Sequence, residues 1–407
     1  MHYDPFDSTI APDPFPIYRW LRDEHPVYRS HPTDTFVLSR FTDVESARTD
    51  TERFSSDAMN GVLLGYPTGD GKKLLPRSAA RGGLVSVDPP AHSELRRIVN
   101  RGFTPRTIRD WRSRIDEVVA ECLREIRPGQ AFDVVQQLAA PVPVSIIAEL
   151  VGAEPDRRDD FRAWADAANQ IMSGSQRGKG AIPEEGAAAV LDLAGYLLTR
   201  IQERIQEPRE DLLSVLVKAH GEDVLSEDEA MGFAALLLFA GSETTTNLIG
   251  NAVRALLDHP HELARVLADP GRIPAVLEET LRWDGPVQYL FRRATEDVER
   301  HGVTIPTNAT VTLLLASANR DPRRFDDAEE FRPDRDQAAH LGFGLGPHFC
   351  LGAALARAEA ESAVRQLLPY LDGCERVGPQ TTYVDSYQLR GLRHLEIIPS
   401  RTGASRA

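Results

Sequence analysis

Residues 343–352 read FGLGPHFCLG, a thiol set among glycines, and LGAALARAEAESAVRQLL continues from it with the texture of a helix. Cys350 thus precedes a helix N-terminus, where free backbone N–H groups and the macrodipole favour thiolate over thiol. A thiolate in that position is a strong, soft metal ligand. Gly344 and Gly346 permit a tight turn that aims N–H groups at the sulfur, and Phe343 stands at its start. The small residues Gly352, Ala353, Ala354 and Ala356 leave room beside the helix for a large planar group. A second constellation is LLLFAGSETTTN at 236–247, inside another helical pattern. Glycine in a helix interior costs about 1 kcal/mol, and consecutive threonines are poor helix formers, so the stretch needs a reason. Ala240 and Gly241 would let a flat group lie against the helix, and a threonine hydroxyl bonding back to a carbonyl can loosen the ladder there. Glu243 and Thr244 put a carboxylate and a hydroxyl beside that notch, a pairing suited to relaying protons. An exposed glutamate followed by surface threonines fits the same letters.

Further charged residues are scattered. His92 and Arg96 in HSELRR stand one helical turn apart and can present two cationic donors to a carboxylate, and Arg292 and His348 add two more. Glu279 and Arg282 in EETLRW share a helix face, where the ordinary outcome is a modest ion pair.

Helices must position these groups. Ile108, Trp111, Ile115, Val118, Val119, Cys122 and Ile126 recur at helical spacing across 105–127, which makes Cys122 core packing. Leu191, Ala194, Leu198, Ile201 and Ile205 predict an amphipathic helix over 186–206. Ser226 and Glu229 form a capping box, and the pattern then runs without proline to Pro260. Strand signals are fewer: TFVLSRF at 35–41, ATVTLLL at 309–315 and HLEII at 394–398. Glycine-rich stretches at about 60–86, with Lys72, Lys73, Arg77 and Arg81, and at about 173–185 read as mobile surface loops of the kind that form lids.

Composition narrows the class. The chain has 407 residues, 42% apolar and 27% charged, enough to bury a large core. A net charge of −14 argues against nucleic acid or an anionic membrane as the main partner. The N-terminus shows no signal-peptide pattern and apolar runs such as AALLLFA are too short to span a bilayer, so a cytoplasmic protein is expected. Three cysteines without a C-x-x-C pair disfavour a disulfide framework or a zinc ribbon, and Cys374 has no evident function. No linker or repeat divides the sequence, which reads as one domain over 1–407.

Taken together these residues resemble the cytochrome P450 family, haem-thiolate monooxygenases of the soluble bacterial kind. FGLGPHFCLG fits the haem-binding signature F-x-x-G-x-x-x-C-x-G at every fixed position, and AGSETT at 240–245 matches the oxygen-activation pattern. Glu279 and Arg282 match E-x-x-R, and FRPDR at 331–335 matches the meander whose arginine, Arg335, joins that pair in a structural network. The resemblance implies a mainly α fold with a small β region, a triangular helical prism enclosing haem b. It implies Cys350 as axial iron ligand, and His92, Arg96, Arg292 and His348 as holders of the haem propionates. Thr244 would donate to the oxygen being activated, with Glu243 linking it to solvent. Leu236, Phe239 and Ala240, Gln288, Tyr289 and Leu290, and Tyr387 and Gln388 are expected to line a pocket for a medium-sized, largely hydrophobic substrate. O2 would be co-substrate, and electrons would come from NAD(P)H through a separate ferredoxin or flavodoxin and its reductase. Acidic partners of that kind imply a basic patch around the Cys350 loop, on a chain expected to be a monomer. Peroxide-driven, aryl-coupling or dehydrating haem-thiolate chemistry and a non-catalytic haem binder are the alternatives, and the intact Glu243–Thr244 pair disfavours the first group.

Overall fold

The structure is a computed structural model and describes residues 2–5, 7, 9–10, 12–58, 83–154, 157, 159–167, 184–221, 225–335, 340–378, 382–386 and 388–400. The stretches expected as lids fall outside these residues, except 83–86 and 184–185, and Tyr387 is outside them as well.

The labelled helices are α1 Phe15–Glu24, α2 Phe41–Thr49, α3 Ala91–Val99, α4 Pro105–Leu123, α5 Pro141–Val151, α6 Glu184–Gln206, α7 Leu212–Gly221, α8 Glu227–Asp258, α9 Pro260–Ala268, α10 Ile273–Trp283, α11 Leu315–Ala318 and α12 Ala353–Leu371. The axis of the fold is α8. Its 32 residues, about 48 Å at 1.5 Å per residue, start at the expected capping box, where Ser226 Oγ accepts from the Glu229 N–H and the Glu229 carboxylate accepts from the Ser226 N–H. Helices α5, α6, α7, α10 and α12 pack around it. No helix of the described residues is long and apolar enough to cross a membrane.

Two of the sequence-derived helices show how far periodicity reaches. In α4, Ile108, Ile115, Val118 and Val119 are buried as expected, while Thr104 caps the start by accepting from the Thr107 N–H. In α6 the stripe is rotated: Val190, Leu193, Ala194, Leu197 and Ile201 are buried, whereas Leu191 is 52% and Ile205 36% exposed. Apolar residues occupy both phases of this helix, so spacing alone cannot choose between them. Arg204 sets the choice by turning inward, where it donates to Asp211 Oδ2 at 2.6 Å and to the Gly152 carbonyl at 3.0 Å.

Sheet is minor and short. Strands β1 Val27–Ser30, β2 Thr35–Leu38, β3 Phe54–Ser55, β5 Leu290–Ala294 and β8 Thr310–Leu313 form one sheet in the order β1-β2-β8-β5-β3, with only β2 and β8 parallel. The strands β4 Phe132–Asp133, β9 Glu375–Val377 and β10 Glu396–Ile398 make a second sheet, and β6 Val298–Arg300 pairs with β7 Val303–Ile305. The larger sheet packs against α2 through Phe36, Leu38, Val44 and Val311. This holds α2 beside the cysteine loop, a placement that matters below.

Candidate active site

One cavity of about 300 Å³ gathers the chemistry-bearing segments. Cys350 lies on one wall, Ala240, Gly241 and Thr244 of α8 on another, and His92, Arg96, Arg292 and His348 along its rim. Within α8 the Thr244 hydroxyl donates back to the Ala240 carbonyl at 2.7 Å, yet the helix stays continuous through the stretch. Ala240 is exposed toward the cavity. A Cβ on Gly241 would meet only the Ile147 side chain, at 3.6 Å, so the protein's own packing does not demand a glycine there.

Around the thiol, Gly344 and Gly346 adopt φ of +73° and +67°, and the Cys350 N–H donates to the Phe343 carbonyl at 2.9 Å. Phe343 itself is held by the Arg357 guanidinium, 4.4 Å above its ring. Burial pushes the Cys350 thiol up, against the opposing pull of the Gly352 N–H and the Arg96, Arg357 and Arg48 charges. This corrects the expectation that the helix start alone yields a thiolate: the site favours the anion only when a bound cation compensates its desolvation.

The rim also departs from four ready-made cations. His92 is 2% exposed with neither ring nitrogen hydrogen-bonded among the described residues, and its ring lies 4.2 Å from that of His348. His348 Nε2 pairs with Ser56 Oγ at 2.9 Å. Burial, then Arg96, pushes His92 down, and burial, then Arg292, pushes His348 down to about 2, so both stand as neutral imidazoles. Arg96 bonds the Phe349 carbonyl at 2.7 Å, and among the described residues buried Arg292 bonds only its neighbour, the Phe291 carbonyl.

Glu243 does not line the cavity. One residue before Thr244 on the helix, it turns toward Asp166, and burial, then that carboxylate, pushes it up to about 7. The pocket expected from the sequence is also corrected. Leu236, Ala240 and Leu290 line the cavity, but Phe239, Gln288, Tyr289 and Gln388 do not. Gln288 is buried elsewhere, donating to the Gly285 carbonyl and accepting from the Tyr18 hydroxyl, and Tyr289 packs with Tyr18 and Leu21. The wall they were expected to supply is built instead from Pro286, Val287 and Leu315. Glu279 and Arg282 form no surface pair: Glu279 accepts two 2.8 Å bonds from Arg282 and two of 3.0 Å from Arg335, all at 1–2% exposure for the first two residues.

Two charged cavity residues were missed. Glu359 follows Gly352 and Ala356 on one face of α12, a spacing that could have revealed it, and burial with no hydrogen-bond donor among the described residues pushes it up to about 8. Arg48 comes from α2 and no local pattern marks it.

The arrangement suits a haem. Among the described residues the His92 ring nitrogens and two guanidinium nitrogens of Arg48 are buried without partners and suit acidic acceptors, a soft donor needs a metal, and the small residues lining the cavity clear a flat space. A family profile described as Cytochrome P450 matches residues 273–372. Cytochrome P450 107B1 of Saccharopolyspora erythraea is 36% identical over 98% of this chain and 97% of its own length. The erythromycin C-12 hydroxylase of the same organism is 37% identical over 93% of this chain and 92% of its own. The solved structure of cytochrome P450 CYP109Q5 from Chondromyces apiculatus superimposes with a TM-score of 0.86 at 36% identity, covering 98% of both chains. With full-length relatives at this identity and a cavity built around Cys350, the chain belongs to the cytochrome P450 family.

Proposed function

We propose that this monooxygenase inserts one atom of O2 into a medium-sized, largely hydrophobic organic substrate, hydroxylation being the main outcome. The observation that carries the reading is the cavity itself: the Cys350 thiol and the Ala240–Thr244 stretch share it, and among the described residues His92 and Arg48, which also line it, keep buried nitrogens without hydrogen-bond partners. Haem b bound through Cys350 supplies the oxygen-activating chemistry, with electrons drawn from a redox partner. Arg96 and Arg292, with His92 and His348 as N–H donors, hold the haem carboxylates. Thr244 presents its hydroxyl to the cavity, and Glu243, near neutrality in its protonation, passes protons to that hydroxyl from the outer side of α8. Phe233, Leu237, Val287, Leu290 and Leu315 exclude water and select for apolar surface. The erythromycin C-12 hydroxylase, by its name, oxidises a bulky polyketide, which is consistent with a substrate of that scale.

The electron donor is a separate acidic protein, a ferredoxin or flavodoxin. Arg97, Arg101, Arg106 and Arg109 are all exposed, on α3, α4 and the turn between them. Arg96 ties this region to the cysteine loop, where Phe349 is 39% exposed. The chain works as a cytoplasmic monomer. The haem-loaded, dithionite-reduced protein under CO is expected to show the red-shifted Soret band of thiolate ligation, and Cys350→Ala to lose it. An unchanged band in that variant overturns the assignment. Apolar compounds are expected to drive the low- to high-spin shift that water displacement produces. A response confined to hydrophilic compounds refutes the substrate class.

A further inference from the structure

Arg48 is a buried cation for which the described residues supply no counter-ion. It is 1% exposed, and its Nε and Nη1 have no hydrogen-bond partner among the described residues. Its Nη2 reaches only two backbone carbonyls, of His348 at 3.3 Å and Leu345 at 3.5 Å. Among the described residues no carboxylate lies within ion-pair distance, and the charged groups that act on it are Arg292, which repels it, and Cys350. Asp88, the one carboxylate acting on Arg292, is engaged by Ser55 Oγ at 2.5 Å and the Ser56 N–H at 2.9 Å. Leaving a buried charge unpaired is strongly destabilising, so Arg48 calls for an anion in the cavity it enters. The backbone is shaped around this side chain. A Cβ on Gly344 would stand 2.2 Å from Arg48 Nη2, so the bare Cα at φ +73° makes the channel through which the guanidinium enters the cavity that Cys350, His348 and Arg292 line.

We propose that the Arg48 guanidinium binds a haem carboxylate from the α2 side, as a third arginine beside Arg96 and Arg292, and thereby ties α2 to the cysteine loop. The proposal rests on the haem-thiolate reading of Cys350. A planar guanidinium with two free donor positions suits a carboxylate fork, whereas lysine offers a single point charge.

The test is haem retention by purified holoprotein, read as the rate of transfer to excess apomyoglobin, which needs no turnover. Arg48→Leu, which leaves no unpaired charge behind, is expected to release haem at least about tenfold faster than the parent, with a lowered ferric/ferrous reduction potential; Arg48→Lys should fall between the two. Loading parent and variants with haem dimethyl ester, whose carboxylates are capped, supplies the decisive arm: their release rates should become equal. Equal rates with ordinary haem, or a difference that survives esterification, would overturn the proposal and leave Arg48 a packing residue. If Arg48→Leu fails to fold, the parent and Arg48→Lys comparison across the two haems decides the same point. Failure of the Cys350 assignment would show separately, in the CO spectrum.

Discussion

Glu359 should make this protein less stable as the medium becomes more alkaline, and one substitution should abolish the effect. The residue is 2% exposed, lines the cavity, and has no hydrogen-bond donor among the described residues; burial pushes its carboxyl from 4.5 up to about 8. Below pH 4.5 the folded and unfolded chains both carry the proton, and the group is silent. Between 4.5 and about 8 the unfolded chain has released the proton while the folded chain retains it, so stability falls with rising pH and levels off once the folded group also ionises. At roughly 1.4 kcal/mol per pH unit the accumulated loss is on the order of 5 kcal/mol. With an unfolding entropy of about 2.1 cal/mol/K per residue, that is roughly 6 °C in melting temperature for a chain of this length. Glu359→Gln imitates the protonated acid at every pH. Urea unfolding at pH 5 and pH 8 should give parent and variant within about 1 kcal/mol of each other at the lower pH, and the variant ahead by a few kcal/mol at the higher one. Parallel shifts of parent and variant between the two pH values would refute the reasoning, because another group would then carry the dependence.

Other consequences are equally direct. Thr244→Ala should uncouple oxygen consumption from product and release peroxide, while Thr244→Ser should keep most of the coupling; unchanged coupling in the alanine variant removes the hydroxyl from proton delivery. The pH profile of kcat should break near 7, where Glu243 titrates, and Glu243→Gln should flatten that break. A break of equal size in the variant assigns it elsewhere. Glu279→Gln strips Arg282 of its charge partner at 2% exposure and should cost about 3–5 kcal/mol in denaturant unfolding; a loss under about 1 kcal/mol contradicts the buried network. Arg101→Glu should slow reduction by an acidic ferredoxin and weaken its salt dependence, leaving peroxide-supported turnover unchanged.

Legibility from sequence followed the physical range of each signal. The capping box at Ser226 and Glu229 is a contact between residues three apart, so it could be read and was found as expected. The loop before Cys350 needs positive φ at Gly344 and Gly346, and glycine is the residue that supplies it without strain, so the turn was legible too. The phase of α6 was not, because its apolar residues fill two stripes and the inward turn of Arg204 is fixed by Asp211 and Gly152. Gln288 and Tyr289 precede Leu290 and share its strand region, yet they serve the Tyr18 side of the sheet; alternation along a strand assigns faces only once it is known which face meets the cavity.

The ionisable groups show the limit most sharply. The sequence pattern reads as an anionic Cys350 and cationic His92 and His348, and burial opposes all three: at Cys350 desolvation outweighs the helix end and the nearby guanidinium groups, while at the two histidines those groups push the same way as burial. Desolvation is set by every segment that closes over a group, and α2, α3, α8 and α12 all close over this one. The site is thus poised by mutual frustration: a thiol that resists ionising, imidazoles that resist protonation and an arginine without an anion. A single ligand that brings a metal cation to the sulfur and carboxylates to the rim relieves all of them at once. The same residues that make the protein without that ligand costly to fold therefore make the ligand hard to lose, and a variant that relieves one strain locally, such as Arg48→Leu, should gain stability in the haem-free chain as it loses hold of the haem.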